Sequence, residues 1–363
     1  MVKRTSVPSD TLSHLVRDNY LIARLRAKRS RLLGRQQLVA LSESKSQTEI
    51  IGLLAEGPYG TELSKLGSES STIETERAVR LGYAESVMSL IRASGGDTRE
   101  FLVQYRRRID AYALAGLVVF KAQGKTWEDY LAIRQPLAFM NEQELRRLYS
   151  LDDLSGIAGE AGDRHLVERV KGLSMTDIEG ERASFVRDVI NGWGEERFYK
   201  YINEKLSGPD RENCLPIAGS AIDIANLTII VRSKIIGASG IKDHLIPSHW
   251  KLNQRAIDQL LGTTDVTQAL DVAASHEYYS RILSGARQKY EESKSLSFIE
   301  VALRRYQLDL SRRVFLGFPY SVGIVLAFLT LKENEARNLA AVLAGVAAGL
   351  PADELRPLLA LQE

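Results

Sequence analysis

Apolar residues recur at spacings of three and four along almost the whole chain, and alternating apolar and polar positions are scarce. Leu12, Leu15 and Val16 begin this pattern, and Ile22 and Leu25 continue it. Spacings of three and four place side chains on one face of an α-helix, whereas alternation is typical of a β-strand. The pattern therefore predicts an all-α protein whose many helices each bury an apolar face.

The apolar pattern of residues 41–63 returns later in the chain. At a shift of 219 residues, Leu54 and Tyr59 meet Ala273 and Tyr278, so the apolar character and the tyrosine are retained. A weaker match starts at a shift of 104 residues. Self-similarity of this kind indicates internal structural repeats.

Two of the repeats close with an acid, a lysine eleven residues later and a glycine three residues after the lysine. Eleven residues are close to three helical turns, so the acid and the lysine share one face of a helix. The glycine suits a left-handed helix end. The third copy retains only the lysine, Lys332, eleven residues after Ser321. The complete sets are Asp110, Lys121 and Gly124, and Asp223, Lys234 and Gly237.

A third shared mark is a glutamate, an alanine and an arginine at alternate positions. It stands at Glu76-x-Ala78-x-Arg80, at Glu300-x-Ala302-x-Arg304 and, incompletely, at Glu181-x-Ala183. Together the marks predict three similar helical units, residues 1–125, 126–238 and 239–363. Chance similarity among helical segments is the alternative interpretation.

Composition narrows the class of protein. Of 363 residues, 44% are apolar and 26% are charged, which is typical of a soluble globular chain. The formal net charge of +2 does not favour nucleic acid or an anionic membrane as a partner. Cys214 is the only cysteine, so an intrachain disulfide is excluded and a reducing cytosolic setting is expected. Residues 1–10 are polar and lack the apolar core of a secretory signal.

The motif Gly124-Lys125-Thr126 ends like a phosphate-binding loop. Such a loop also needs a glycine five residues before its second glycine, and Val119 stands at that position. No other motif of this type occurs in the chain, so the sequence predicts no nucleotide site.

The histidines form neither a metal-binding nor a catalytic pattern. His276 and Glu277 open like a zinc-protease motif, but Ser280 stands where the second histidine would be. No nucleophile with a paired base stands out, so we expect no catalytic site, metal or cofactor. The other histidines also lack metal-ligand spacing: His14, His165, His244 and His249.

A basic stretch lies near the start of the chain. It has no interleaved aromatic side chains of the kind that bind nucleic acid, so we expect no nucleic acid partner. It remains either a solvated helix face or a face that pairs with the acids of a partner. Its cations are Arg24, Arg26, Lys28, Arg29, Arg31 and Arg35.

The run Val314–Leu331 carries no charge and reaches the lower length bound for a transmembrane helix. Pro319 interrupts the run, and charges follow at once from Lys332 onward. A core helix broken near Pro319 is therefore the preferred interpretation, and a membrane span is the alternative.

An ordered set of motifs, from about residue 12 to residue 360, resembles the C subunit of the archaeal and bacterial V/A-type ATP synthases. That family includes the d subunit of the eukaryotic vacuolar proton ATPase. The motifs are Tyr20-x-x-Ala23-Arg24-x-Arg26-Ala27, Asp223-x-x-Asn226 with Arg232-x-Lys234, Pro319-Tyr320-Ser321, the run from Leu331 to Leu339, and Gly349-Leu350.

The resemblance implies a funnel in which three similar helical units surround a pseudo-threefold axis. It also implies a non-catalytic role at the cytoplasmic face of the membrane, without a cofactor or a bound nucleotide. The protein would connect the central stalk, built of the D and F subunits, to the proteolipid c-ring, and so couple ion transport to ATP synthesis.

Two other classes of function stay open from the residues themselves: a helical-repeat adaptor that binds another protein through a concave face, and an unrecognised hydrolase or transferase. The acids and lysines that close the units are expected to be framework. Charges that recur or cluster elsewhere form the candidate partner interface: Arg24, Arg26, Glu76, Arg80 and Arg304.

Overall fold

The computed structural model describes residues 20–66, 70–133, 141–161, 163–317 and 321–361. These residues form α-helices and short 3-10 helices, and no strand occurs among them, which confirms the predicted all-α class. Leu12 to Val16, His14 and the Pro319-Tyr320 step lie outside the described residues.

Eighteen α-helices occur in the described residues. The first seven are α1 (20–29), α2 (Arg35–Ser42), α3 (Gln47–Leu54), α4 (Gly60–Leu63), α5 (Thr72–Ala93), α6 (Gly96–Ala122) and α7 (Trp127–Ile133). The next five are α8 (Glu142–Ser150), α9 (Leu154–Glu160), α10 (Arg164–Val170), α11 (Gly180–Lys205) and α12 (Gly208–Ile236). The last six are α13 (Gln254–Leu261), α14 (Val266–Ser275), α15 (Glu277–Ser293), α16 (Ser297–Leu316), α17 (Val322–Ala347) and α18 (Ala352–Leu355).

The order of helices recurs three times along the chain. Helices α2, α3 and α4 precede the long helices α5 and α6; α8, α9 and α10 precede α11 and α12; α13, α14 and α15 precede α16 and α17. This order agrees with three sequence repeats. The pseudo-threefold axis and the funnel shape stay predictions.

Local sequence accounts for many helix ends. Ser71 begins α5 with a capping box, in which the Glu74 amide donates to Ser71 Oγ at 3.3 Å and the Ser71 amide donates to Glu74 Oε2 at 2.7 Å. At the other end of a helix, Gly237 closes α12 with φ of +63°. Gly124, just after α6, has φ of +69°. The left-handed glycines predicted from the repeat are thereby confirmed.

The six long helices form a closed series of contacts. Helices α5, α6, α11, α12, α16 and α17 each contact the next in that order, and α17 returns to contact α5. Helix α12 additionally packs against α17. Elements from the two ends of the described chain are therefore neighbours.

Two large apolar clusters form the core, and neither follows the predicted unit boundaries. One cluster includes Leu117 and Leu270, and the other includes Tyr59 and Phe328. Each cluster takes residues from all three predicted units. Packing therefore does not divide the described residues at the predicted boundaries near 125 and 238, and the three units stay a prediction.

The buried tyrosines correct one position of the predicted repeat. Tyr59 is fully buried, and its hydroxyl donates to Glu335 Oε1 at 2.7 Å. Its matching partner at a shift of 219, Tyr278, is 47% exposed, whereas Tyr279 is fully buried and donates to Asp223 Oδ2 at 2.9 Å. The pairing with Tyr278 is therefore wrong by one residue, because burial assigns the equivalent position to Tyr279.

Helix α17 forms hydrogen bonds with segments near both ends of the described chain. The Leu33 amide donates to Glu335 Oε2 at 2.5 Å, and the ammonium of Lys332 lies 4.0 Å from the centre of the Tyr59 ring. At the other end, Asn338 and Ala360 exchange two hydrogen bonds, at 3.0 and 3.1 Å. These contacts fix the segment before α2 and the segment after α18 on one helix.

The part of the apolar run Val314–Leu331 that lies in α17 belongs to the core, whereas Leu316, at the end of α16, is 74% exposed. Helix α16 ends at Leu316, α17 begins at Val322, and residues 324–329 are buried throughout. Among the described helices, α12 has the length and composition of a membrane span, but 67% of its apolar window is buried within the protein. Burial of that kind is ordinary for a core helix.

Candidate functional site

Charged and phenolic side chains from all six long helices meet in what we call the central ionic network. Helix α5 supplies one of its members, α12 another, and the remaining four helices supply two or more each. The members are Tyr83, Tyr105, Arg108, Tyr112, Glu181, Asp188, Glu195, Arg232, Glu300, Arg304, Glu333 and Arg337.

Arg108 organises one half of the network. Its Nε donates to both Glu195 oxygens, at 2.8 and 2.9 Å, and its Nη1 donates to Glu333 Oε2 at 3.1 Å. Only 8% of Arg108 is exposed. One guanidinium therefore joins α6, α11 and α17 through charge-assisted hydrogen bonds, which are stronger than neutral ones.

Tyrosine hydroxyls satisfy the remaining acceptor positions around Arg108. Tyr112 donates to Glu195 Oε1 at 2.5 Å, and Tyr105 lies 3.3 Å from Glu333 Oε2. The Tyr83 and Tyr105 hydroxyls are 2.7 Å apart, which brings α5 into the network. Burial raises the pKa of Tyr105 well above its ordinary value, so its hydroxyl stays protonated.

Glu333 lies between two arginines. Arg337 Nη2 donates to Glu333 Oε1 at 2.6 Å, on the opposite oxygen from Arg108. Burial alone would raise the pKa of Glu333, but Arg108 and Arg337 outweigh it and hold that pKa at about 2. Glu333 is therefore charged at any physiological pH.

Arg232 organises the other half of the network and is 3% exposed. Its Nε donates to Asp188 Oδ2 at 2.8 Å, its Nη2 donates to Glu300 Oε1 at 2.7 Å, and its Nη1 donates to Glu181. It thereby joins α12 to α11 and α16. Burial raises the pKa of Asp188 to about 6, because the nearby Arg232 only partly offsets the loss of solvent.

Arg304 lies between the two halves. It follows Glu300 by one turn of α16, and its Nη2 is 4.0 Å from Glu300 Oε2. Burial and then the charge of Arg337 lower the pKa of Arg304 to about 10, whereas Glu300 and Glu333 raise it. The field of Arg304 therefore reaches both halves of the network.

The acids on α11 were not singled out from the sequence as a set. Glu181, Asp188 and Glu195 stand seven residues apart, so they share one face of the helix. A seven-residue repeat of acids along one helical face is a detectable signal that these acids pair with cations of neighbouring helices. Arg108, by contrast, stands in a run of three arginines, which conceals its buried position.

The five residues predicted as a partner interface lie in three different places. Glu76 and Arg80 form an ion pair of 3.2 Å along α5. Arg24 Nη2 donates to Ser89 Oγ at 3.2 Å and so ties α1 to α5, while Arg26 on α1 is exposed. Arg304 belongs to the central ionic network, so the structure does not assemble the five into one cluster.

Each of the two unit-closing lysines binds carbonyl groups at the C-terminal end of a helix in the next predicted unit. Lys121 on α6 donates to the carbonyl of Tyr149 at 2.6 Å, in the last turn of α8. Lys234 on α12 donates to the carbonyls of Leu261 and Thr263, at 2.9 and 2.5 Å, where α13 ends. A cation is favourable at a helix C-terminus because free carbonyls lie there. Both contacts fit the framework role expected for these lysines.

Metal binding finds no support in the geometry. Across residues 20–361, apart from the gaps given above, no three His, Cys, Asp or Glu side chains are arranged to hold a metal ion. The central ionic network pairs its acids with arginines, so its chemistry is that of a structural joint between helices.

A profile of the ATP synthase (C/AC39) subunit family matches residues 21–358. The chain belongs to this family. It is 25% identical to the C subunit of the A-type ATP synthase of Methanocaldococcus jannaschii, over 94% of this chain and 85% of that protein. The corresponding protein of Pyrococcus furiosus is also 25% identical, over 93% of this chain and 88% of that protein. That of Methanosarcina barkeri is 23% identical, over 93% and 90%.

Membership of the ATP synthase (C/AC39) subunit family confirms the resemblance seen in the sequence. The match covers all six long helices and therefore the part of the chain that contains the central ionic network. The chain is therefore a subunit of an ATP synthase, a membrane-associated complex with further subunits as its partners.

Proposed function

We propose that this protein is a non-catalytic connector in the rotor of its ATP synthase. It would join the central stalk, built of the D and F subunits, to the proteolipid c-ring at the cytoplasmic face of the membrane. The observation that supports this function best is the central ionic network, whose members come from all six long helices of the closed series of contacts.

A rotary connector has to transmit torque without deforming. Arg108 and Arg232 are each held by acids from two other helices, and both are almost fully buried. Removing one partner of a buried ion pair typically costs about 3–5 kcal/mol, so these joints resist relative sliding of the helices. Apolar packing alone, which is not directional, would resist such sliding less.

The contact with the c-ring is proposed to be polar. Three repeats with different side chains meet a ring of many identical subunits, so we expect their contacts with the ring to be non-equivalent. Arg24, Arg26, Glu76 and Arg80 stay candidates for these contacts. Arg304 keeps 26% of its side chain exposed, so it can touch a partner while it serves the network.

The proposal predicts how salt releases the protein from the ring. Exposed ion pairs are weak and are screened at high ionic strength, so rising salt should detach the connector from the ring. The stalk foot, held in a deeper socket, should resist salt better. Membranes that carry the complex are washed with increasing salt, and both fractions are blotted for the connector and for the stalk subunits. Retention on the ring at about 1 M salt while the stalk leaves first would contradict the assignment.

Charge reversal tests the α1 contacts directly. Arg26→Glu alone, and Arg24→Glu together with Arg26→Glu, should lower retention on the complex while circular dichroism stays helical. The matched control reverses two exposed arginines elsewhere, Arg146→Glu with Arg255→Glu on α8 and α13, and should stay bound. Equal loss from the control would show that total charge, and not α1, sets retention. Co-purification with no other part of an ATP synthase would instead favour a helical-repeat adaptor.

A further inference from the structure

A basic segment without acids opens the described chain. Residues 20–42 contain six lysines and arginines and no aspartate or glutamate, so their formal charge is +6. The net charge of +2 conceals this excess, because residues 127–181 hold twelve acids against six lysines and arginines. Five of the six cations lie on α1 and in the turn that follows it, before the first of the three repeated helix groups. The positive charge is therefore concentrated outside the repeated framework.

Helix α1 has one buried face and one exposed face. Leu21 and Leu25, four residues apart, are almost fully buried. On the opposite side, Tyr20, Ala23 and Ala27 are exposed at spacings of three and four, and Tyr20 is 65% exposed. We call these three residues the open face of α1.

Cations border the open face on both sides. On one side, Arg24 Nη2 donates to Ser89 Oγ of α5 at 3.2 Å. On the other side, the guanidinium carbon of Arg29 lies 4.5 Å from the centre of the Phe315 ring, at the end of α16. Arg26 is exposed at the edge of the open face. The open face is therefore a short, weakly apolar strip with cations along each edge.

The charges that act on the α1 cations are mostly positive. Burial and then the charges of neighbouring cations, Arg24 first, lower the pKa of Lys28, and one acid, Glu85, raises it. Burial and then the charge of Arg312 lower the pKa of Arg29. Cations that repel one another at a surface favour an anionic partner.

An exposed leucine follows the aromatic ring that Arg29 covers. Leu316 ends α16 directly after Phe315 and is 74% exposed. A single exposed leucine is ordinary in a soluble protein. Beside a cationic strip, however, a leucine and a tyrosine can enter the interfacial layer of a bilayer while arginines contact its phosphates.

A phospholipid surface suits this arrangement better than an acidic protein segment does. The phosphates of an anionic bilayer form a continuous layer of negative charge, so cations on both edges of a helix are neutralised without matched positions. An acidic segment would need acids placed opposite each edge. The chain is also a subunit of a membrane-associated complex, so a bilayer lies close to it.

We propose that α1 and the adjoining end of α16 bind the anionic headgroups of a phospholipid bilayer. This inference rests on the proposed connector role, which brings the protein to the membrane face, and adds lipid to the ring as a second partner of the basic segment. Arg26 and Arg31, both exposed, would contact phosphates, and Tyr20 and Leu316 would enter the interfacial layer.

Sedimentation with vesicles tests the proposal in the absence of ring and stalk. The purified chain is mixed with vesicles of phosphatidylcholine, or of equal parts of phosphatidylcholine and phosphatidylglycerol, and the bound fraction is measured. We expect binding to the anionic vesicles alone, and release as sodium chloride rises from about 0.1 M to about 0.5 M. Equal binding to both kinds of vesicle, or to neither, would overturn the proposal. The salt wash of the whole complex would then still decide the connector role.

Two exposed arginines locate the site. Arg26→Gln with Arg31→Gln should weaken binding to anionic vesicles at least about tenfold, because each cation near such a surface contributes a factor of about five. The control, Arg146→Gln with Arg255→Gln, removes the same charge from exposed positions on α8 and α13 and should bind as the wild type does. Unchanged binding of the first variant, or equal loss in the control, would refute the site on α1.

A soluble competitor separates lipid from an acidic protein partner. Poly-glutamate is added to the anionic vesicles at the same total charge as the lipid. The chain should stay on the vesicles, because poly-glutamate offers no interfacial layer for Tyr20 and Leu316. Displacement of the chain at equal charge would instead assign the basic segment to an acidic protein partner and overturn the lipid site.

Discussion

Gly237 shows how one residue ends a helix of the core. Its φ of +63° is left-handed, and a Cβ built there meets no atom within 4 Å, so any cost of substitution comes from the backbone. Gly237→Ala should therefore lower the free energy of unfolding by about 1 kcal/mol. Gly116→Ala is the control, since Gly116 is exposed within α6 and equally free of contacts. It should raise that free energy by about 0.5–1 kcal/mol. Urea unfolding of both variants measures the two effects, and shifts in the same direction would contradict the prediction.

Arg108 allows buried and exposed ion pairs to be compared in one chain. Arg108→Gln leaves Glu195 buried without its counter-charge, so the free energy of unfolding should fall by about 3–5 kcal/mol. Arg108→Gln combined with Glu195→Gln should recover part of that loss. Arg80→Gln, which breaks the half-exposed pair with Glu76, should cost under about 0.5 kcal/mol. Chemical denaturation of the three variants distinguishes these outcomes. A loss for Arg80→Gln as large as that for Arg108→Gln would place the essential joint elsewhere.

Asp188 should make stability depend on pH. Its pKa in the folded chain is about 6, above the ordinary 3.8. Between these values the folded chain keeps a proton that the unfolded chain has lost, so stability falls as pH rises through this window. Relative to Asp188→Asn, the wild type should lose about 2 kcal/mol of unfolding free energy between pH 4 and pH 7.

The pH comparison isolates Asp188 from its neighbours. Glu333, with its pKa held at about 2, contributes stability that is lost only as pH falls below its ordinary value of 4.5. That contribution is present in both proteins, so the difference between them removes it. Urea midpoints measured from pH 4 to pH 7 give the difference directly. Parallel curves for wild type and Asp188→Asn would mean that Asp188 is charged throughout this range.

At the scale of elements, the helices followed from the sequence because their signals are local. Apolar periodicity and caps such as Ser71 with Glu74 act within one or two turns, so they can be read without the tertiary fold. The tyrosine of the third repeat was assigned one residue too early, because a local pattern does not show which tyrosine is buried. Only burial distinguishes Tyr278 from Tyr279, and burial depends on which side of α15 faces the core.

At the scale of the whole molecule, the central ionic network could not be predicted from the sequence. Its members lie between residues 83 and 337 on six helices, and the pairs that Arg108 and Arg232 make with acids form only when separate helices pack. Arg304 shows the consequence. Its recurrence in the Glu-x-Ala-x-Arg mark suggested a surface charge, whereas burial and the charges of Arg337, Glu300 and Glu333 act on its pKa.

The contacts between α17 and the first helices have a consequence for folding during synthesis of the chain. Tyr59 and its acceptor, Glu335, are 276 positions apart, so the tyrosine leaves the ribosome long before its carboxylate exists. During that interval the face of α5 that α17 later covers is open to water. Contacts between residues so far apart in sequence form slowly. Until they form, the exposed apolar face is a binding surface for a chaperone or for a second unfinished chain. The last long helix to be synthesised thus completes the first part of the core.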